Sequence, residues 1–230
     1  MQMTGKRLEA LRLIGITDRN VLGLGDPVHA AEEALASSLP ALMLREKDLP
    51  EDQLLPIATR LRRQAAQAGA LFIINRNIDV ARGVGADGVH LGVEGPSLAE
   101  ARDALGRDAL LGYSAHDLNE VLRAFDAGAD YVTFSPIYET PSKAGILRPV
   151  GLEALARVVG ESPGPVIALG GIDESNLSQV LQAGAHGVAV IRAIFGNASP
   201  REATTGLVRA IASFGQPLPP NVDSPAAPPK

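Results

Sequence analysis

Apolar residues fall along this chain in short runs, and between the runs they recur every three or four positions. The runs cover 13–17, 41–45, 71–75, 88–91, 110–115, 131–136, 166–170 and 187–191. Short uninterrupted apolar runs are the mark of strands buried on both faces. The intervening stretches carry a helical period. In 51–68, Leu54, Leu55, Ile57, Ala58, Leu61 and Ala65 fall on one side, with Arg60, Arg62, Arg63 and Gln64 largely on the other. Stretches 97–105, 117–127, 152–159, 174–183 and 200–213 repeat that pattern, with Asp117 and Asp173 placed as helix N-caps.

One junction recurs three times, as Gly85-Ala86-Asp87-Gly88, Gly128-Ala129-Asp130-Tyr131 and Gly184-Ala185-His186-Gly187. A glycine that closes a helix, a small-residue turn and then an apolar strand is the sequence of a parallel sheet wrapped by helices. Eight such alternations predict a single-domain α/β fold, a (β/α)8 TIM barrel spanning 1–213. A doubly wound open sheet is the structural rival, but it lacks its phosphate glycine pattern after the first strand. The interval from Gly128 to Gly184 is longer than that from Gly85 to Gly128, and segment 137–149 accounts for the surplus. Loops after barrel strands of this length commonly cover active sites. Residues 214–230 are Pro-rich without apolar periodicity and are expected to be disordered.

Composition narrows the function classes. The chain has 230 residues and a net charge of −5, so it lacks the basic footprint of a nucleic-acid partner. There is no cysteine, which excludes disulfides and thiolate catalysis. No apolar run approaches the roughly 20 residues of a membrane helix, and the N-terminal residues lack a signal-peptide stretch. These features predict a cytoplasmic protein with no membrane partner, and leave an oligomer open.

In a barrel, the C-terminal strand ends share one rim, and active sites are built there. Read in order, those ends carry Arg45 and Lys47, Asn75 and Arg76, His90, Ser114 and His116, Thr140, Ser142 and Lys143, Gly170 and Gly171, and Arg192. Each alone reads equally well as loop polarity; gathered on one rim, they point to a site. Gly170-Gly171 is followed by a predicted helix, and backbone amides in this place commonly bind phosphate. With the Ser/Thr/Lys set beside it, the expected ligand is a small phosphorylated molecule. His116 follows its strand directly and is the candidate for proton transfer, since imidazole titrates near neutrality. His29 and His186 fit ordinary surface roles, and His90 also fits a satisfied core residue.

Six segments together resemble the thiamin phosphate synthase family, including its TenI-type thiazole tautomerase branch. They are Leu44-Arg45-Glu46-Lys47, Phe72-Ile73-Ile74-Asn75, Ala86-Asp87-Gly88-Val89-His90-Leu91-Gly92, Gly112-Tyr113-Ser114-Ala115-His116, Pro136-Ile137-Tyr138-Glu139-Thr140-Pro141-Ser142-Lys143 and Ala168-Leu169-Gly170-Gly171-Ile172. For a synthase the resemblance implies a Mg²⁺-bound pyrimidine diphosphate captured by a thiazole phosphate. It places two metal-holding aspartates where this chain has Arg76 and Gly95, and a glutamine where it has Met43. It matches Ser114, Thr140, Ser142, Lys143 and Gly171 to the thiazole phosphate, and His116 to the proton-transfer histidine of the tautomerase branch. Arg192 stands where relatives commonly carry serine; a phosphate contact and a pairing with an acidic neighbour are both open.

Mg²⁺ requires hard oxygen ligands. A guanidinium at position 76 reverses the charge there and cannot be deprotonated. The reading placed first is therefore a thiazole tautomerase with no cofactor, acting on a small phosphorylated thiazole through His116. The alternative is a Mg²⁺-dependent thiamin phosphate synthase. The second alternative is a non-catalytic thiamin-precursor binding protein.

Overall fold

The computed structural model describes residues 5–21, 26–140 and 148–215. Eight parallel strands close into one barrel in chain order, with the first paired to the eighth. They are β1 Leu13–Ile16, β2 Ala41–Leu44, β3 Leu71–Asn75, β4 Gly88–Leu91, β5 Leu110–Ala115, β6 Tyr131–Phe134, β7 Val166–Leu169 and β8 Gly187–Val190. The helices are α1 Gly5–Ala10, α2 Pro27–Leu35, α3 Glu51–Ala68, α4 Ile78–Val84, α5 Leu98–Leu105, α6 Leu118–Asp126, α7 Gly151–Glu161, α8 Leu177–Gln182, α9 Arg192–Phe195 and α10 Pro200–Ser213. The (β/α)8 architecture read from the alternation is the architecture found. No helix among the described residues is long and apolar enough to cross a membrane. The expected disordered tail lies, from residue 216 onward, outside the described residues.

Strand alternation divides the core in two. Ile14, Ile16, Met43, Ile73, Leu110, Tyr131, Ile167 and Ala189 belong to one buried cluster, which fills the barrel. Leu13, Leu42, Leu44, Phe72, Ile74, Val89, Leu111, Val132 and Val188 belong to the other, which joins the strands to the helices. This is the period-two division that a closed sheet imposes. On α3, Leu54, Ala58, Leu61 and Ala65 are the buried positions. Leu55, read as part of that face, is 40% exposed. It lies at the edge of the stripe.

The repeated junction has a structural reason. Asp87 Oδ2 accepts the Phe72 amide at 2.8 Å and pairs with Arg62 at 3.2 Å. Asp130 Oδ2 accepts the Leu111 amide at 2.8 Å and pairs with Arg102 at 2.9 Å. Each aspartate thus ties the start of its own strand to the start of the preceding one and to a helix beyond. At the third copy, His186 Nε2 instead meets the Leu8 carbonyl at 2.7 Å, joining α1 to the barrel. His186 is therefore a partly buried structural link, in place of the surface role expected of it.

Some boundaries differ. Asp117 caps α6 through the Glu120 amide, as its position predicts. Asp173 does not cap α8. Its Oδ1 accepts the Ser175 amide at 2.9 Å, which makes a local turn, and α8 begins only at Leu177. Asp competes well for nearby backbone donors, and here the turn wins over the helix. The short helices α1, α4 and α9 carry too few periodic positions to have stood out in the sequence.

Candidate active site

The strand ends open on a single cleft, a cavity of about 1070 Å³. Arg45, Lys47, Asn75, Arg76, His90, Ser114, His116, Thr140, Gly170, Gly171 and Arg192 all line it. Ser142 and Lys143 lie outside the described residues.

The barrel floor is a buried polar chain. His90 is 3% exposed; its Nδ1 lies 3.2 Å from the Tyr131 hydroxyl and its Nε2 lies 3.0 Å from Ser114 Oγ. Thr133 Oγ1 is 3.3 Å from the same Nε2 and 3.4 Å from Ser114 Oγ. Burial, and secondarily the Arg45 charge, push the His90 pKa down to about 3, so the ring is neutral. Burial, and secondarily Asp130, raise that of Tyr131, so its hydroxyl keeps its proton. The neutral ring has one N–H, so one nitrogen donates and the other accepts, and either tautomer closes the chain from Tyr131 to Ser114 and Thr133. The Ser114 hydroxyl, which lines the cavity, is held by His90 Nε2 and Thr133 Oγ1. Gly112 makes this chain possible. A Cβ there would lie 2.3 Å from Tyr131 Cζ and 2.4 Å from His90 Nδ1.

Above this floor, His116 is fixed at two points. Its amide donates to Glu120 Oε2 at 2.7 Å, and its Nδ1 lies 2.7 Å from the Ser135 carbonyl. A carbonyl only accepts, so Nδ1 carries the proton and Nε2 of the neutral ring is the basic nitrogen. Ser135 and Glu120 were not singled out in the sequence. Their signal, a polar residue just before Pro136 and an acid four residues after His116, gains meaning only once strands five and six are adjacent.

Gly170 and Gly171 both have left-handed backbone, at φ 107° and 65°. A Cβ on Gly170 would come within 2.8 Å of Pro136 Cα, and one on Gly171 within 2.6 Å of the Glu139 carbonyl oxygen. The pair is thus required for packing beneath the β6 loop as well as being open to the cavity. The phosphate expectation joined these glycines directly to a helix N-terminus. Instead the Asp173 turn intervenes, with Asn176 Nδ2 donating to the Gly171 carbonyl at 2.9 Å. Arg192 is exposed at the start of α9 on the same side.

The opposite end is cationic. Arg45 follows β2, with its amide donating to Thr17 Oγ1 at 3.0 Å and its guanidinium 3.2 Å from Asp18. Asp18 was not singled out, although the polar run Thr17-Asp18-Arg19-Asn20 follows β1, because its pairing with Arg45 shows only once β1 and β2 are adjacent. Arg76 has a left-handed backbone at φ 66°, held by its amide donating to the His90 carbonyl at 2.9 Å. Its neighbour Asn77 caps α4 through the Val80 amide. The Arg76 guanidinium lies 3.6 Å from Glu94, whose side chain is 81% exposed. Such pairs contribute about 0–1 kcal/mol.

This donor set does not fit Mg²⁺. Arg76 and Gly95 stand where two aspartates would be needed, and a Cβ on Gly95 would point at Arg76 Nε from 3.7 Å. The carboxylate next to these two positions among the described residues is Glu94, and it already faces the Arg76 cation. Among the described residues no three Asp, Glu or His side chains converge into a metal cluster.

Comparison with known proteins agrees with this geometry. The sequence profile of the family described as thiamine monophosphate synthase matches residues 13–194. A Geobacter sulfurreducens protein provisionally named thiamine-phosphate synthase is 46% identical over 193 residues, covering 84% of this chain and 91% of that one. The thiamine-phosphate synthase of Gloeobacter violaceus is 43% identical over 86% of this chain, which spans 57% of that longer protein. The structure of thiamine phosphate pyrophosphorylase from Pyrococcus furiosus superposes with a TM-score of 0.83 at 33% identity, covering 91% and 99% of the two chains. By profile, sequence and structure alike, this chain belongs to the thiamine monophosphate synthase family, whose members are enzymes of thiamin biosynthesis.

Proposed function

We propose that this enzyme is a transferase that joins a pyrimidine diphosphate to a thiazole phosphate. The relatives' names support this reading over the tautomerase placed first from sequence. The observation that carries it is the shape of the site: one cavity with two different ends. Its volume of about 1070 Å³ is at the upper limit of pockets that hold one drug-sized ligand, roughly 300–1,000 Å³. Arg45, Lys47 and Arg76 stand at the β2–β4 end, and Gly170, Gly171, Thr140 and Arg192 at the β6–β8 end. A condensation brings two phosphorylated substrates, and the two ends offer each its own anchor.

In the proposed step, the bond between the pyrimidine methylene carbon and the diphosphate oxygen breaks, and its electron pair leaves on pyrophosphate. The thiazole nitrogen lone pair forms the new carbon–nitrogen bond. The chain's own residues hold the two anions apart and the two rings together, and such positioning can remove several kcal/mol of the barrier. Ser114, held by His90 and Thr133, is placed to hydrogen-bond the thiazole substrate. The test is incubation with both substrates and detection of thiamin phosphate. Stoichiometric release of product and pyrophosphate is expected; substrates left intact would overturn the reading.

One observation favours the tautomerase as a second reading. His116 is held in the tautomer that leaves Nε2 as a base facing the cleft. It is fit to remove a proton from a non-aromatic thiazole ring and return one elsewhere, giving the aromatic tautomer. A His116→Ala variant that retains phosphate-ligand affinity but loses tautomerisation supports this second reading. Wild-type tautomerisation by that variant removes it.

A further inference from the structure

We infer that Arg76 binds the diphosphate directly, so that the anion end of this cleft works without a divalent ion. The inference rests on the transferase reading for the identity of the diphosphate, but its chemistry is that of any pyrophosphoryl group.

Three observations carry it. First, the guanidinium of Arg76 lies next to Gly95, its Nε 3.7 Å from where a Gly95 Cβ would stand, so these two neighbouring positions present a cation and no carboxylate. A permanent cation thus stands where a divalent ion would otherwise screen the phosphates. Second, Arg76 is built into the rim. Its amide is bonded to the His90 carbonyl, and the next residue caps α4. A left-handed backbone at a non-glycine residue is uncommon and costs free energy that the surroundings must supply. Arginine is not a residue that conformation favours, so local backbone preference does not explain its presence here. Third, its partner is weak. Glu94 is 3.6 Å away and 81% exposed, a contact that an entering phosphate can displace at little cost. A guanidinium presents paired N–H donors that match two phosphate oxygens. Arg45, on the same wall, adds a second guanidinium, and its own carboxylate partner Asp18 keeps it oriented.

The probe is inorganic pyrophosphate, titrated calorimetrically into the full-length protein in EDTA and again with Mg²⁺. Arg76→Asn removes the charge while suiting the left-handed backbone, since asparagine tolerates that region. The wild type should bind pyrophosphate in EDTA with an affinity that Mg²⁺ changes by less than about threefold, and Arg76→Asn should weaken it at least tenfold. Melting curves of the two proteins, measured alongside, should coincide. Binding by the wild type that requires Mg²⁺, or unchanged affinity in Arg76→Asn, would overturn the inference. Thiamin phosphate formation, assayed separately in EDTA and in Mg²⁺, keeps the two ideas apart. Product in neither condition defeats the transferase reading, whereas product only with Mg²⁺ defeats the role given to Arg76.

Discussion

The two ends of the cleft are held in different ways. At the floor and the β5–β7 side, polar groups are fixed by buried hydrogen bonds: Tyr131 to His90, His90 to Ser114, and His116 to the Ser135 carbonyl. At the β2–β4 rim, Arg45 is held by a largely buried pair with Asp18, while Arg76 meets Glu94 in a pair open to water. Buried bonds fix direction, because an unmade one costs about 1–3 kcal/mol. The exposed Arg76–Glu94 pair fixes little and yields to a competing anion. One end is suited to placing a proton or a ring, the other to catching charge.

The buried end breaks most severely. Gly112→Val would put side-chain carbon inside the Tyr131 ring position, and should lower unfolding free energy by about 3 kcal/mol or more in denaturant titration. A variant of near-native stability would show that the floor can repack and is not rigid. Next comes Gly171→Val, which combines left-handed strain with a close approach to Glu139. It should cost about 2 kcal/mol and weaken thiazole phosphate binding. It should leave pyrophosphate affinity at the far end intact, which separates the two ends directly.

Acidity gives a finer contrast. His90 is depressed in the fold to about 3 from an ordinary 6.5. Between those values the unfolded chain takes up a proton that the native ring does not, so stability falls as pH drops from 6.5 toward 3. The slope from this group is at most about 1.4 kcal/mol per pH unit. Thermal melts of His90→Gln should lose that component of the pH dependence; an identical pH profile would remove His90 as its source. The smallest effect is expected at the exposed end, where Glu94→Gln should change stability by no more than about 0.5 kcal/mol.

Much of this was legible in the sequence because barrels obey strict local rules. Short apolar runs fixed the strands, and strand ends fixed the rim, so Arg45, Asn75, His90, Ser114, His116 and Gly171 could be gathered before any coordinates. What stayed hidden depends on distant segments meeting. The pairing of Asp18 with Arg45 joins two rim loops. The bond that fixes the His116 tautomer comes from the next strand. The role of Gly112 is invisible without Tyr131 beside it. Asp173 was misread because a local turn and a helix cap have the same sequence signature. The sequence-based preference for a tautomerase rested on the lost metal site, whereas the relatives' names favour the transferase alternative.

The central claim is that the cleft takes two different anions at once, one at each end. A crystal structure of the protein grown with both pyrophosphate and thiazole phosphate tests it most directly. Pyrophosphate is expected against Arg76 and Arg45, and the thiazole phosphate against Gly171 and Thr140. A single shared position for both, or an empty β2–β4 end at saturating pyrophosphate, would contradict it.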